Sequence, residues 1–382
     1  MNNEVKNVPE LRFPEFSGEW KEKELGQCTN LITKGTTPKD KSGKGTINYI
    51  KVENIYNAKI KPRMKININE HEGYLKRSKL EANDILFSIA GTLGRTAVVN
   101  KSHLPANTNQ ALAIIRGYDF ETNFLITTLG GHAVAKYIRK NPTVGAQPNL
   151  SLNQVSKLII NTPSKNEQKK IGIFFSKLDK QIELEEQKLS LLEEQKKGYM
   201  QKIFSQELRF KGNNGEEYPK WESKKLEEVA IINTGKSKIV NEESGAYSNL
   251  GSTGVLGKSS HYEYDGNFIL TARVGHYAGK LYNFSGKANI SDNTIFLETD
   301  LNLNFTLNML NNYNLKRIAF GSGQPLIKSS ELKKLIFNIP CGEEEQKIGG
   351  FLSGFDSLIG KQSHKIELLK ERKKGFLQKM FV

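Results

Sequence analysis

The sequence is short of the residues that build metal centres and nucleophilic sites. It holds two cysteines, Cys28 and Cys341, and six histidines scattered over 382 positions. Cysteines so far apart form no metal cluster by themselves, a single disulfide is a weak expectation, and the histidines give no triad any sequence support. No HExxH pair and no Cys/His ligand set occurs, so no metal is expected. No apolar run approaches the ~18 residues of a membrane span. No basic-then-apolar leader opens the chain, which is therefore expected to be cytoplasmic.

What is present points to a polyanion. Lys and Arg number 56 against 41 Asp and Glu, a formal charge of +15 and a pI of about 9.4. Such an excess favours nucleic acid as partner. A composition simply rich in Lys, Asn and Ile is the competing explanation. Position helps to choose between them. Residues 1–163 carry 23 basic and 14 acidic side chains, whereas 205–340 carry 16 and 14, so the excess sits in the first globular stretch and not in a tail. At 37% hydrophobic residues the chain can support about two or three domains with real cores.

Shifting the chain against itself by 177 positions uncovers a duplication. Gln147-Pro148 meets Gln324-Pro325, Lys157-Leu158-Ile159 meets Lys334-Leu335-Ile336, and Asn161 and Pro163 meet Asn338 and Pro340. Over 171–204 against 348–381, 16 of 34 positions are identical. So long a period sets aside the short-repeat solenoids. A second match has another offset. Glu10-Leu11-Arg12-Phe13 recurs as Glu207-Leu208-Arg209-Phe210, and Trp20…Leu25 as Trp221…Leu226. Between these anchors the lengths differ, 127 residues from Trp20 to Gln147 against 103 from Trp221 to Gln324. The pattern predicts a similar frame around a dissimilar middle. The motif that follows the first helical copy also opens the chain, so residues 10–13 are expected to dock near residue 381. The molecule would then be quasi-cyclic, its beginning supplying the next piece of the pattern after its end.

Residues 166–204 lack an internal proline and are dense in Glu, Lys, Gln and Leu, which predicts a long helix with Ser164 as its cap. Apolar residues fall at Ile171, Phe175, Leu178, Ile182, Leu189, Leu192, Tyr199 and Ile203, a heptad seam broken by Glu185 and Lys196. The second copy repeats it at Ile348, Leu352, Phe355, Ile359, Ile366, Leu369, Phe376 and Met380, with breaks at Gln362 and Lys373. Gly198 and Gly375 weaken matching last turns by about 1 kcal/mol. Two equal stripes in a duplicated chain favour packing on each other, antiparallel about a quasi-two-fold axis, as a rod of roughly 50 Å. Pairing between chains is the alternative.

The middles read as short strands and turns, such as "NDILFSIAGTLGRTAVV" at 83–99 and "NFILTARVGHYAGKLY" at 267–282. Gly91, Gly94, Gly275 and Gly279 suit tight turns, or a close approach of backbone to phosphate. Basic and hydroxyl residues gather in the loops. The candidates for DNA contact are Lys34, Thr36, Thr37, Lys39, Lys44 and Arg95 in the first half, and Lys236, Ser237, Lys238, Arg273, His276 and Lys280 in the second. Such side chains suit phosphates, and Arg suits base edges as well. The loops are better candidates as sets than any single member. Residues 230–237 fit a relaxed phosphate-binding loop, but charged "ESKKLEE" precedes them where a buried strand belongs, and 252–259 misses the pattern by one residue. Asn141-Pro142-Thr143-Val144 lacks the second proline and the aromatic of an amino-methyltransferase motif.

Three stretches together carry a family resemblance: "VPELRFPEFSGEWKEKELG" at the start, "EQKKIGIFFSKLDKQIELEEQKLSLLEEQKKGYMQKIF" in the middle, and the echo of the latter at the end. The chain resembles the specificity subunits of type I restriction–modification enzymes over nearly its whole length after about residue 8. The resemblance implies an α+β fold, with two mixed α/β target recognition domains joined by two long antiparallel coiled-coil helices in a quasi-two-fold internal repeat. On this chain the first recognition domain would be 1–163, with an N-terminal segment 1–19. The first spacer helix would be 164–206, the second domain 207–340 and the second helix 341–382. Each domain would read one half of a split, asymmetric site in double-stranded DNA. The helices would act as spacer and dock two methyltransferase subunits, with restriction and translocase subunits joining in the full complex. The chain would have no catalysis and no cofactor of its own, S-adenosylmethionine, ATP and Mg being used by its partners. The alternatives are a stand-alone nucleic-acid-binding regulatory protein, which would bind without partners, and an enzyme using the 230–237 loop.

Overall fold

The structure, a computed structural model, describes residues 7–140, 149–321 and 323–382. Gln147-Pro148 and the Asn141–Val144 motif lie outside the described residues. The chain divides into two compact units, Met1–Glu185 with Lys365–Val382, and Glu186–His364. Among the described residues no helix is long and apolar enough to cross a membrane.

In the first unit the strand Leu112–Tyr118 lies between Thr29–Lys34 and Ile85–Ser88, antiparallel to both, and Thr96–Val98 completes the sheet. Successive side chains of a strand point to opposite faces. Ile85, Phe87, Ala113 and Ile115 accordingly enter one core with Trp20, Phe124 and Phe175, while Leu86, Leu112 and Ile114 enter another with Ile50 and Ile55. Burial on both faces explains the unbroken apolar runs there. A second sheet places Ile47–Ile50 between Met64–Ile66, antiparallel, and Ala106–Thr108, parallel.

The second unit holds one six-stranded sheet. Its order is Ala230–Thr234, Thr294–Thr299, Tyr264–Ala272, Leu281–Ile290, Tyr247–Gly251 and Gly254–Ser259. Ile269, Ile295 and Leu297 face one core, and Phe268, Leu270 and Phe296 the other.

The expectation of dissimilar middles needs correction, because the two sheets follow one plan. Asn48 and Ile50 pair in parallel with Ala106 and Thr108, as Ser248 and Leu250 do with Ala288 and Ile290. Lys34 and Ile32 face Ala113 and Ile115, as Thr234 and Ile232 face Ile295 and Leu297. The difference is mechanical. Strands of nine and ten residues, Tyr264–Ala272 and Leu281–Ile290, run through the whole second sheet. Ile85–Ser88, of four residues, stands in for the first, and Thr96–Val98 and Ala106–Thr108, of three each, stand in for the second, so the first unit's sheet comes in two pieces. The segment 51–84 then fills the space with the short helix Ile68–Glu72 and a hairpin, Ile55–Tyr56 with Lys59–Ile60.

Two long helices, Lys165–Phe204 and Gly342–Lys379, each begin in one unit and end in the other. At ~1.5 Å per residue each is roughly 60 Å long. Within the first unit Phe174 meets Phe376 (5.0 Å between ring centroids), and Lys373 pairs with Asp179 and Lys365 with Glu185. Within the second, Tyr199 meets Phe351 (5.2 Å) and Lys196 Nζ lies 2.6 Å from Asp356 Oδ1. Numbers fall on one helix as they rise on the other, so each pairing is antiparallel. Lys196–Asp356 and Lys373–Asp179 are the same pair met twice. Three polar breaks in the seam, Glu185, Lys196 and Lys373, are thus ion-paired across it, and the fourth, Gln362, is buried. Seam residues near the helix ends do more than zip the pair. Ile171, Phe175 and Met380 belong to the first unit's core, and Ile203, Ile348 and Leu352 to the second's. Leu178, Ile182 and Ile366 are buried along the seam, Leu189, Leu192, Phe355, Ile359, Leu369 and Phe376 are half-buried, and Tyr199 is exposed.

The opening segment docks on the end of the second helix. Leu11 N donates to Lys379 O (2.8 Å) and Glu10 pairs with Lys379, as Leu208 N donates to Lys202 O (3.0 Å) after the first helix. Arg12 holds buried Glu167, and Arg209 holds buried Glu344. Trp20 packs edge-on against Phe124 and Phe381, as Trp221 does against Phe305 and Phe204. Lys21–Glu24 pairs with Ile159–Thr162 in the register by which Glu222–Lys225 pairs with Ile336–Ile339.

Candidate nucleic-acid interface

At one end of each sheet the loops meet around a glycine crossing. Gly35 leaves its strand and passes the end of Ala106–Thr108. Gly35 N donates to Leu112 O (3.2 Å) and Thr36 N to Thr108 O (2.9 Å). A Cβ at Gly35 would lie 2.1 Å from Thr108 O, so no larger residue fits without moving backbone. Gly235 repeats this. Gly235 N donates to Thr294 O and Ser237 N to Ile290 O, both at 2.9 Å, and a Cβ there would lie 2.4 Å from Ile290 O. The crossing also excludes a phosphate-binding loop at 230–237. Extended chain and strands follow Ser237, and the next helix in the chain starts only at Leu303, so the strand–loop–helix order of such a loop is missing.

Buried amides anchor the crossings. Asn107 Nδ2 donates to Leu75 O (2.9 Å) and Ser78 Oγ (3.1 Å), and Asn289 Nδ2 to Asn249 Oδ1 and His261 O, both at 2.9 Å. Tyr49 donates to Thr36 O (3.0 Å), and burial pushes its hydroxyl well above the ordinary range, so it remains a neutral donor. Tyr282, raised by the same cause, donates to Gly251 O.

The candidate residues separate into two groups. Thr36 and Ser237 are only 9% and 5% exposed, so they face inward instead of offering hydroxyls to solvent. Thr36 Oγ1 accepts from Arg77 Nε (3.2 Å), and Ser237 Oγ donates to Glu263 (2.6 Å) while accepting from Ile290 N (3.1 Å). Thr37 is tied to Gln110, joining two loops. Arg95 Nη1 donates to Val52 O and Ile55 O, 3.1 Å each, and so holds the base of the 55–60 hairpin. These four residues shape the loops. In the second group, Lys34, Lys236, Lys238 and Arg273 extend into solvent without a carboxylate partner among the described residues, and Lys44 is exposed within electrostatic reach of Asp40. Lys39 Nζ lies 4.8 Å from the Tyr74 ring and Lys280 Nζ 5.6 Å from that of Tyr277, against which His276 packs edge-on. Gln110 and Tyr277 were absent from the sequence-derived set. The recurring Ala106-Asn107 and Ala288-Asn289 mark both crossings in sequence and are a signal that could have led to Gln110. Among the described residues no cluster of three His, Cys, Asp or Glu could hold a metal ion.

The model of the type I restriction modification DNA specificity domain matches residues 17–194 and again 218–371. The MjaVIII specificity subunit of a type I restriction enzyme from Methanocaldococcus jannaschii is 32% identical over 122 residues, 30% of this chain and 28% of that protein. The putative MjaX specificity subunit from the same organism is 41% identical over 58 residues, 15% of this chain and 14% of its own length. The aligned segments thus span less than a third of these relatives. Among solved structures, the S subunit of the type I restriction-modification system from M. genitalium aligns over 98% of this chain and 99% of its own, with a TM-score of 0.67 at 15% identity. A chain from a structure of type I R-M complex assembly covers 95% and 97%, with a TM-score of 0.57 at 17% identity. At such identities the structures speak for the fold, and the twofold family match speaks for kinship: the chain belongs to the type I restriction–modification specificity subunit family.

Proposed function

We propose that this chain is the non-catalytic DNA-reading subunit of a type I restriction–modification complex. One observation carries the reading: a single scaffold occurs twice, with the same glycine crossing and buried amide anchor, under loops of different sequence. A reader built that way recognises two different half-sites. The first unit reads one half of a split asymmetric site in double-stranded DNA, and the second reads the other. Exposed Lys and Arg on the loops hold phosphates, and polar side chains beside them meet base edges. The two long helices serve as spacer and as the dock for two methyltransferase subunits. S-adenosylmethionine, ATP and Mg act on those subunits and on the restriction and translocase subunits, in the cytoplasm. Genome-wide mapping of N6-methyladenine, with and without this chain and with the methyltransferase supplied, tests the reading. Loss of one bipartite motif on deletion is the expected result. Methylation that persists unchanged while the complex is active would refute it. Replacing 215–325 by another recognition domain should alter one half of the motif only.

A further inference from the structure

The second unit has an almost balanced charge, 16 basic against 14 acidic side chains over 205–340. The balance is uneven in space. Segments 273–280 and 315–330 contain Arg273, Lys280, Lys316, Arg317 and Lys328 and no Asp or Glu, which leaves 11 basic and 14 acidic residues elsewhere in the unit. The fold puts these segments side by side. Ile327 N donates to Arg273 O (2.8 Å), Gly275 N to Pro325 O (2.9 Å), and Phe320 and Leu326 exchange both backbone bonds (2.9 and 2.8 Å). Gly279, at φ +82°, lies so close to Lys316 that an added Cβ would come within 3.0 Å of its backbone nitrogen. All five basic side chains are exposed, and among the described residues none has a carboxylate partner. Asp292, on the turn next to Arg273, is also exposed and has no ion-pair partner among the described residues.

Two large aromatics stand on this surface where a soluble fold would bury them. Phe320 is 53% exposed and Tyr277 51%. Lys328 Nζ lies 5.6 Å from the Phe320 ring and Lys280 Nζ 5.6 Å from the Tyr277 ring. Cations beside exposed rings match double-stranded DNA, whose phosphates take the cations and whose thymine methyl groups, on the base edges of the major groove, take an apolar ring.

We propose that this surface is the DNA face of the second unit, with Lys316, Arg317 and Lys328 holding phosphates and Phe320 contacting bases as a specificity-determining residue. The inference rests on the DNA-reading function and assigns residues to it. Phosphate contacts add salt-dependent affinity without sequence preference, while the ring adds preference with little salt dependence.

The test uses the full chain assembled with its methyltransferase and a duplex bearing the motif mapped for the wild type, titrated by fluorescence anisotropy at several salt concentrations. The variant Lys316→Ala/Arg317→Ala/Lys328→Ala should weaken cognate and scrambled duplexes alike and reduce the slope of log K against log salt by about 2 to 3. Phe320→Ala should keep the slope, lose on the order of tenfold on the cognate duplex only, and relax one half of the methylated motif. Thermal unfolding should match the wild type for both variants, since every altered side chain is exposed. Unchanged affinity and slope in the triple variant, with an unchanged motif in Phe320→Ala, would overturn the assignment alone. Loss of methyltransferase co-purification at unchanged slope would give the surface to a protein partner and overturn it too. A wild-type complex that holds no duplex and marks no motif would overturn the DNA-reading function itself, and this assignment with it.

Discussion

The repeated Arg–Glu lock gives the firmest quantitative prediction. Glu167 and Glu344 are 1% and 0% exposed in the first turn of the long helices, where the helix dipole favours a carboxylate. Arg12 grips Glu167 with Nε and Nη2, both at 2.7 Å, and Arg209 grips Glu344 at 3.1 and 2.6 Å. The carboxylate bonds raise both guanidinium pKa values, against the opposing pull of desolvation. Further guanidinium bonds reach Gly18 O and Ser17 O in one unit, and Tyr218 O and Pro219 O in the other. Removing one partner of a buried pair costs roughly 3–5 kcal/mol. The arginines are 14% and 25% exposed, so solvent screens part of that and the lower end applies. Glu344→Ala should therefore cost about 3 kcal/mol. Glu344 also accepts from Trp221 Nε1 (2.9 Å), whereas Trp20 Nε1 has no such partner, so Glu344→Ala should exceed Glu167→Ala by about 1 kcal/mol. For a unit of this size the loss lowers Tm by about 6–12 °C in calorimetry. The double variant Arg209→Met/Glu344→Leu should recover most of it, because no charge is then left buried and unpaired. A single-variant cost under ~1 kcal/mol, or a double variant no better than the single, would refute the reasoning.

Other expectations rest on the same repeats. Glu345 accepts from the backbone of Asn302, as Gln168 does from Glu121, and burial raises its pKa. A raised folded pKa means its stabilisation is present at low pH and is lost as pH rises through that value. Glu345→Gln should then raise stability near neutral pH and flatten the profile, and urea midpoints between about pH 4 and 8 that match the wild type would refute it. Gly235→Ala must displace backbone at the crossing, so a loss of about 2 kcal/mol or more is expected in chemical denaturation, whereas Gly198→Ala, inside a helix and with open space for its methyl, should gain up to about 1 kcal/mol. Lys196→Glu should cost about 1 kcal/mol in thermal unfolding and be repaired by Asp356→Lys, and a repair that fails would deny the pair its role in register.

The frame was legible in sequence because its constraints are local or repeated. A heptad stripe without proline announces a long helix, and the second copies of Glu-Leu-Arg-Phe and Trp announce a shared dock. The aromatic trio around Trp20 and the lock at Arg12 follow once Phe381 and Glu167 are placed. The common plan of the middles was legible only at 83–99 and 267–282, which read alike as strand, glycine turn and strand and form the same hairpin in each sheet. It is held by backbone pairing and by a few residues, Gly35, Asn107, Gly235 and Asn289, too sparse to align across a difference of 24 residues between anchors. The seam residues that enter the cores were also out of reach, since periodicity shows that a stripe is buried but not against what. Thr36 and Ser237 illustrate the limit at the site. Short hydroxyl residues in a basic loop suit DNA, yet they suit a loop's own backbone equally, and only three-dimensional partners decide.

The same division explains how one scaffold carries two different sets of loops. The crossings are fixed from beneath, by glycines that touch backbone and by amides buried in the sheet. The basic and aromatic side chains above them are exposed and make few contacts with the rest of the unit. Substituting the upper set should therefore change stability by less than ~0.5 kcal/mol, while substituting Asn289 leaves the buried acceptor Asn249 Oδ1 and the part-buried His261 O without their donor and costs about 1–3 kcal/mol. The exposed loop surface and the stability of the fold then reside on different residues. Loops can diverge in sequence, and the sheet that presents them stays the same.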